Sequence, residues 1–167
     1  VGLIMLGTSC SKSMTAEQYY NEGFNKHEAA CTPTYCDSGQ LQEAIADYTK
    51  AISLSEAPDS AWAYVSRAKA KSDLSQYPEA IADYNKAILL GTTFTDYQQA
   101  LAYAERGTAK SSNGQYLEAI NDLSKAISLD LHLSYAYQNR GVSYERLGEN
   151  IKAERDFTKA RQIDMSR

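Results

Sequence analysis

Apolar and small residues recur along this chain with the period of an α-helix, and the same pattern occurs four times. The four segments align without gaps at residues 40–54, 76–90, 115–129 and 149–163. In each, an Ala is followed four residues later by a large apolar residue and three residues after that by another Ala. The spacing places all three side chains on one helix face, so each segment predicts an amphipathic helix that packs closely against a neighbour.

A second helical segment precedes each of these helices. Three of the segments carry a Tyr, then an Arg three residues later, then Ala or Gly, and a looser version occurs at Tyr19, Glu22 and Gly23. A Gly inside a helix costs about 1 kcal/mol relative to Ala, so it indicates close helix packing at that point. The three motifs are Tyr64–Arg67–Ala68, Tyr103–Arg106–Gly107 and Tyr137–Arg140–Gly141.

Together the two segments resemble the tetratricopeptide repeat, a helix pair of about 34 residues with small and aromatic residues at fixed positions. The resemblance implies an all-α fold, a right-handed superhelical solenoid of about four helix-turn-helix repeats. The resemblance covers residues 15–167, and residues 1–14 form a separate N-terminal segment. The repeats are expected at about 15–60, 61–99, 100–133 and 134–167.

Two of the four copies are longer than the family's repeat. Repeats two and three begin at Ala61 and Ala100, and we expect the five extra residues between Gly91 and Asp96, as a Gly-led helix stop followed by an Asp cap. In the first repeat, Gly23 and Ala44 are nine places further apart than the pattern requires. This surplus predicts a loop between the two helices of that repeat.

The last repeat differs at the positions that face the following repeat. Earlier copies have Ile there, whereas the fourth has Glu154 and Arg161. Because a terminal repeat needs a polar outer face, we expect the stack to end here, with no C-terminal repeat missing.

The Arg of each first helix is followed by an Asp of the second helix, and the distance along the sequence is the same in three repeats. This constant offset predicts an ion pair in each repeat, and the alternative is two separately solvated charges. The pairs are Arg67–Asp83, Arg106–Asp122 and Arg140–Asp156.

The N-terminus is an apolar run that closes on small residues and Cys10, with no initiator Met, and is interpreted as the tail of a signal peptide. It resembles a bacterial lipobox, although Leu6 is one place further upstream than usual because Gly7 occupies the expected position. The resemblance implies lipidation of Cys10 and anchoring to a membrane of the cell envelope, in the periplasm or on the outer surface. The alternative is a secreted protein with an incidental Cys.

Two further cysteines, Cys31 and Cys36, lie in the surplus region of the first repeat. In an exported protein their proximity favours a disulfide. Two free thiols or a metal site with His27 are the alternatives. The metal site has only three ligands and no Cys-x-x-Cys spacing, so no metal is expected.

Composition and motifs argue against two classes of function, nucleic-acid binding and catalysis. A net charge of −4 and a pI of about 5.2 argue against nucleic-acid binding, which needs a basic face. Phosphate loops, His-Glu-x-x-His and nucleophile elbows are absent from the sequence. We therefore expect no catalytic residue, no cofactor and no small-molecule substrate.

The resemblance implies a concave groove that binds a protein or peptide partner through positions 2, 5, 9 and 12 of each first helix. Large apolar side chains at several of these positions suit anchors of an interface. The candidate groove residues are Tyr20, Phe24, Trp62, Val65, Lys69, Leu101, Thr108, Tyr135, Gln138 and Val142. The Lys, Asn and Arg of the family's dicarboxylate clamp are mainly replaced, so binding of a chaperone tail is not expected.

The two resemblances together predict a non-catalytic scaffold or adaptor, tethered to the cell envelope, that binds a peptide or helix of a partner. Two alternatives remain. One is a structural lipoprotein that self-associates, and the other is a regulatory subunit of an envelope enzyme complex.

Overall fold

The computed structural model describes residues 13–31, 36–56 and 60–166, and within these ranges the chain forms eight α-helices and no β-strand. None of these helices is long and apolar enough to cross a membrane. Cys10, the predicted lipidation site, lies outside the described residues. The helices are α1 Ala16–Ala30, α2 Ser38–Leu54, α3 Ala61–Asp73, α4 Tyr77–Leu90, α5 Asp96–Ser112, α6 Tyr116–Leu129, α7 Ser134–Arg146 and α8 Asn150–Met165.

The helices stack in four consecutive pairs, and the stack has two unlike layers. Each helix packs on the next one along the chain. The first helices of the pairs also contact one another, α1 with α3, α3 with α5 and α5 with α7, whereas the second helices in the described ranges do not. A layer whose members approach more closely forms the inside of a curve, so the first helices form the inner wall. The predicted all-α repeat solenoid is confirmed.

Close contact within each pair depends on a small residue of the first helix. A Cβ at Gly107 would lie 2.7 Å from Cγ of Leu123, and one at Gly141 would lie 2.6 Å from Cε1 of Phe157. Ala68, at the same place in the second repeat, is fully buried. The large residues of the second helices therefore fill the space that these small residues leave, as the sequence pattern predicts.

The nine surplus residues of the first repeat do not all form a loop, and that prediction was wrong in part. Helix α2 begins six residues before Ala44, whereas α4 and α6 begin three residues before the equivalent alanines. Its earlier start is fixed by Asp37, whose carboxylate accepts hydrogen bonds from the backbone N–H groups of Gly39 and Gln40 at 2.8 and 3.1 Å. Helix α1 also extends by two residues relative to α3, so part of the surplus is helical.

The extra residues before the third repeat are also mainly helical, which corrects the expected position of the insertion. Thr95, rather than Asp96, is the N-cap of α5, and it forms a capping box with Gln98. This cap starts the helix four residues before Ala100, the first position of the repeat. Helix α5 therefore carries one additional N-terminal turn.

The last helix presents charge outward, as the sequence predicts. Glu154 and Arg161 have side chains that are 69% and 64% exposed, and their charged groups lie 2.8 Å apart.

Candidate functional site

The predicted ion pairs are present at the interface between the two helices of each repeat. Nε and Nη2 of Arg106 donate to the two carboxylate oxygens of Asp122 at 2.8 and 2.6 Å. Equivalent paired bonds join Arg67 to Asp83 and Arg140 to Asp156. We call this row of pairs the interhelical ion-pair row.

Lysines of the first helices also form ion pairs with the carboxylates of this row. Lys71 lies 2.6 Å from Asp83, and Lys110 lies 2.7 Å from Asp122. In the first repeat Glu22 stands at the position of the Arg, and Lys26, the equivalent of Lys71 and Lys110, lies 2.6 Å from Asp47. The cations of the first helices therefore mostly point towards the second helices, away from the inner wall.

An aromatic cavity of about 480 Å³ lies where the first and second repeats meet. It brings together two predicted groove residues, Tyr20 and Trp62, along with Glu17 and Leu54. The indole of Trp62 packs on the ring of Phe94, with ring centroids 5.0 Å apart. The arrangement offers a partly open apolar surface with a carboxylate at its side.

A polar cavity of about 240 Å³ lies between α5 and α7, and it contains the predicted groove residues Thr108 and Val142. Ser111 and Arg146 are also part of its lining. Its wall is ordered by Asn139, whose side-chain amide donates to the hydroxyl of Thr108 at 2.8 Å. Of the predicted groove residues, two line this cavity and two line the aromatic cavity, while Gln138 lines a separate cavity against α8.

The remaining predicted groove residues differ in accessibility. Val65 is only 7% exposed and packs in a hydrophobic cluster, so it offers little surface to a partner. Leu101 and Tyr135 are half-buried and pack on the core of the third and fourth repeats. Phe24 is 46% exposed, and Lys69 and Gln138 are exposed too.

Glu105, on the inner wall between these cavities, was missed by the sequence analysis. It occupies position 6 of the third repeat, where the other repeats have Asn21, Ser66 and Asn139. None of these equivalent residues is charged, and this difference is the sequence signal that could have identified Glu105. Its carboxylate forms no ion pair or hydrogen bond with the described part of the chain. Burial raises the pKa of Glu105, while Lys69 partly opposes the shift.

Buried hydroxyl groups lie around Glu105. The hydroxyls of Tyr84 and Tyr135 are buried and have no hydrogen-bond partner among residues 13–31, 36–56 and 60–166. Burial raises the pKa of both phenols, and the nearby Glu105 carboxylate is the next cause in each. The Ser72 hydroxyl lies beside that of Tyr84 without reaching hydrogen-bonding geometry. We call Glu105, Tyr84, Tyr135 and Ser72 the inner-wall polar cluster.

The cysteines of the first repeat form a disulfide between Cys31 and Cys36. Their sulfur atoms are therefore not available as thiolate ligands, and the metal alternative does not fit the structure. His27, its third proposed ligand, is buried, and its Nε2 lies 2.7 Å from a carboxylate oxygen of Asp73. This contact links α1 to α3.

Comparison with models of protein families identifies the family to which this chain belongs. The tetratricopeptide-repeat model matches residues 34–58, 96–132 and 134–164, more than half of the chain. The chain therefore belongs to the tetratricopeptide-repeat family. The pair α3–α4 lies outside the matched ranges, yet it also has a small residue, Ala68, at the helix contact and an Arg–Asp pair. No curated protein matches the chain.

Solved structures share the fold. A crystal structure of MamA aligns with a TM-score of 0.73 and 26% identity, over 90% of this chain and 79% of that one. The Arabidopsis OM64 TPR domain aligns with a TM-score of 0.63 and 28% identity, over 81% of this chain and 95% of that domain. The second TPR of Spaghetti (RPAP3), bound to the HSP90 peptide SRMEEVD, aligns with a TM-score of 0.56 and 28% identity, over 62% of this chain and 91% of that one.

Proposed function

We propose that this protein is a non-catalytic interaction scaffold that holds a peptide or helix of a partner protein on its inner wall. The observation that carries the proposal is the row of first helices, with an aromatic cavity at one end and a polar cavity near the other. Tetratricopeptide repeats generally form scaffolds for protein–protein interaction. The Spaghetti domain, which holds a peptide, supports this use of the helix stack.

Trp62 is the anchor whose loss has the largest expected effect on binding. Large aromatic side chains dominate interface energies, and a wall of this length buries an area at the low end of specific interfaces. We expect affinities of roughly micromolar dissociation constant for a single peptide. We therefore predict that Trp62→Ala weakens peptide binding about tenfold or more.

The test uses peptides selected from a random display library on the immobilised wild-type chain, with affinity measured by fluorescence anisotropy. Leu117→Ala is the matched control, because Leu117 is 66% exposed on α6, a second helix. Trp62→Ala should lose binding while Leu117→Ala retains it. Equal affinity of the Trp62→Ala variant and the wild type would remove the aromatic cavity from the binding surface.

We further propose that the scaffold is tethered to the cell envelope through a lipid on Cys10. The support is the lipobox-like order of Leu6, small residues and Cys10, and the disulfide between Cys31 and Cys36 agrees with an exported protein. Mass spectrometry of the N-terminal peptide from the native source tests the proposal. A diacylglycerol-modified Cys10 is expected, and an unmodified Cys10 in the mature protein would contradict it.

A further inference from the structure

The inner-wall polar cluster indicates the chemistry of the partner. Resting on the scaffold function, we propose that the bound segment carries a Lys or Arg side chain that forms an ion pair with Glu105 on the inner wall of the third repeat. The remaining contacts of that segment lie along the wall towards the two cavities. The inference names a charge on the partner and a single residue that recognises it.

The distribution of charges on the first helices favours a bound segment that carries a positive charge. Arg67, Lys71, Arg106, Lys110 and Arg140 are held by carboxylates of the interhelical ion-pair row. Of the first-helix cations outside this row, Lys69 is the one whose charge acts on Glu105, while Arg146 lies at the polar cavity. A neutral partner would leave the Glu105 charge without a contact, and an anionic partner would meet repulsion.

Glu105 lacks a side-chain bond to the preceding first helix, although Ser66 and Asn139, which occupy position 6 in two other repeats, each have one. The Ser66 hydroxyl lies 3.2 Å from the Tyr20 hydroxyl of the preceding first helix. Asn139 likewise bonds to Thr108 of the helix before it. Glu105 faces Lys69, which occupies the position of its helix that Thr108 occupies opposite Asn139. Glu105 and Lys69 form no ion pair, and Lys69 is exposed to solvent. Glu105 therefore lacks the cross-helix bond that Asn139 makes at the equivalent position.

The surroundings of Glu105 make an incoming cation favourable. A half-buried carboxylate without a charged contact loses hydration, and the charge of Lys69 offsets this loss only in part, so the pKa of Glu105 is raised. Asp73 adds a second negative charge nearby, although His27 holds one of its oxygens. The buried hydroxyls of Tyr84 and Tyr135 have no hydrogen-bond partner in the described ranges, so they do not donate to the Glu105 carboxylate. An ammonium or guanidinium group supplies the missing positive charge and hydrogen-bond donors.

The experiment selects peptides from one random dodecamer display library on four forms of the chain. These are the wild type, Glu105→Gln, Glu105→Lys and the control Glu118→Gln. Glu118 is exposed on α6 of the same repeat, so its variant matches the charge change of Glu105→Gln. Circular dichroism and thermal unfolding establish that each form is folded before selection.

A fixed Lys or Arg position should appear in peptides selected by the wild type and the Glu118→Gln control. It should disappear with Glu105→Gln, and an Asp or Glu should replace it with Glu105→Lys. For the strongest wild-type peptide, Glu105→Gln should weaken binding about tenfold or more. Replacing the basic residue of that peptide by norleucine or citrulline should weaken wild-type binding similarly, but it should have little effect on Glu105→Gln.

Other outcomes separate the two proposals. Peptides without a fixed basic position, or with the same basic position for Glu105→Gln, would overturn the pairing with Glu105 and leave the scaffold function standing. No enriched peptide on any of the four forms would overturn both proposals.

A Lys69→Gln variant tests the competing internal cation, and it should bind the basic peptide at least as tightly as the wild type. A loss of binding by this variant would also contradict the inference.

Discussion

Two carboxylates of the third repeat, Asp122 and Glu105, have opposite surroundings. Asp122 is buried and accepts charged hydrogen bonds from Arg106 and Lys110. Glu105 is half-buried in the inner wall and has no charged group in contact with it within the described part of the chain. The first arrangement recurs in neighbouring repeats and holds the helix pairs together. Glu105 is the one charged residue at position 6 of the four repeats, and its raised pKa indicates that folding disfavours the charged form, as expected of a residue with the recognition role proposed above.

The largest effect on stability is expected from Asp122→Ala, which removes the carboxylate that is paired with two cations. The variant leaves Arg106 and Lys110 without their carboxylate, at side-chain exposures of only 16% each. Loss of one partner of a buried ion pair costs about 3 kcal/mol or more, so the free energy of unfolding should fall by about that amount. Urea denaturation measures it, with Glu118→Ala as the control. A loss below about 0.5 kcal/mol, typical of surface changes, would show that the row is not needed for stability.

A smaller effect of opposite sign is expected from Tyr135→Phe. The Tyr135 hydroxyl is buried without a partner in the described ranges, so its removal should raise the free energy of unfolding at pH 7 by about 1 kcal/mol. Its phenol has a raised pKa in the folded chain, caused first by burial and then by Glu105.

The pH dependence of Tyr135→Phe sharpens the same prediction. Above the ordinary tyrosine pKa of about 10, the unfolded phenol ionises while the folded one stays protonated, so wild-type stability falls as pH rises. Because Phe does not ionise, the variant should lose less stability than the wild type between pH 8 and pH 11 (roughly the span around that pKa). Parallel stability curves would contradict the burial of this hydroxyl.

The smallest effect is expected from Glu105→Gln in the free chain. The pKa of Glu105 is raised in the folded state, so its contribution to stability is fully present below the unfolded value of about 4.3 and is lost as pH rises through the folded pKa. At pH 7 the charged carboxylate opposes folding, and Glu105→Gln should unfold at a slightly higher temperature than the wild type. The gain should disappear at pH 4 and below (near the unfolded pKa). A lower midpoint at pH 7 would mean that Glu105 stabilises the fold.

Features that repeat along the chain could be predicted from the sequence. The helix pairs, the close contacts at Gly107 and Gly141 and the Arg–Asp pairs all follow from periodic spacing, because each copy supports the interpretation of the others. Helix boundaries in the longer repeats could not be predicted in the same way. They depend on single caps, Asp37 and Thr95, that have no counterpart at the same position in the other repeats.

Candidate site residues were harder to predict than the fold. The family positions include residues that line two cavities, Tyr20 and Trp62 in one and Thr108 and Val142 in the other, but they also include the buried Val65 and leave out Glu105. Phe94 was assigned to an insertion without a role, yet its ring packs on Trp62. Such contacts join segments far apart in sequence, and a pattern within one helix carries no information about them.

Polar cross-links between the first helices are unevenly distributed along the rod. Hydrogen bonds from side chain to side chain join α1 to α3 at Tyr20–Ser66 and His27–Asp73, and α5 to α7 at Thr108–Asn139 and Ser111–Ser143. The part of the chain that the structure describes has no such bond from α3 to α5. Residues of α3 and α5, among them Val65 and Ala102, instead belong to one apolar cluster. Because apolar packing is not directional, we expect a change in the curvature of the stack to break the fewest polar bonds on the inner side at this central contact.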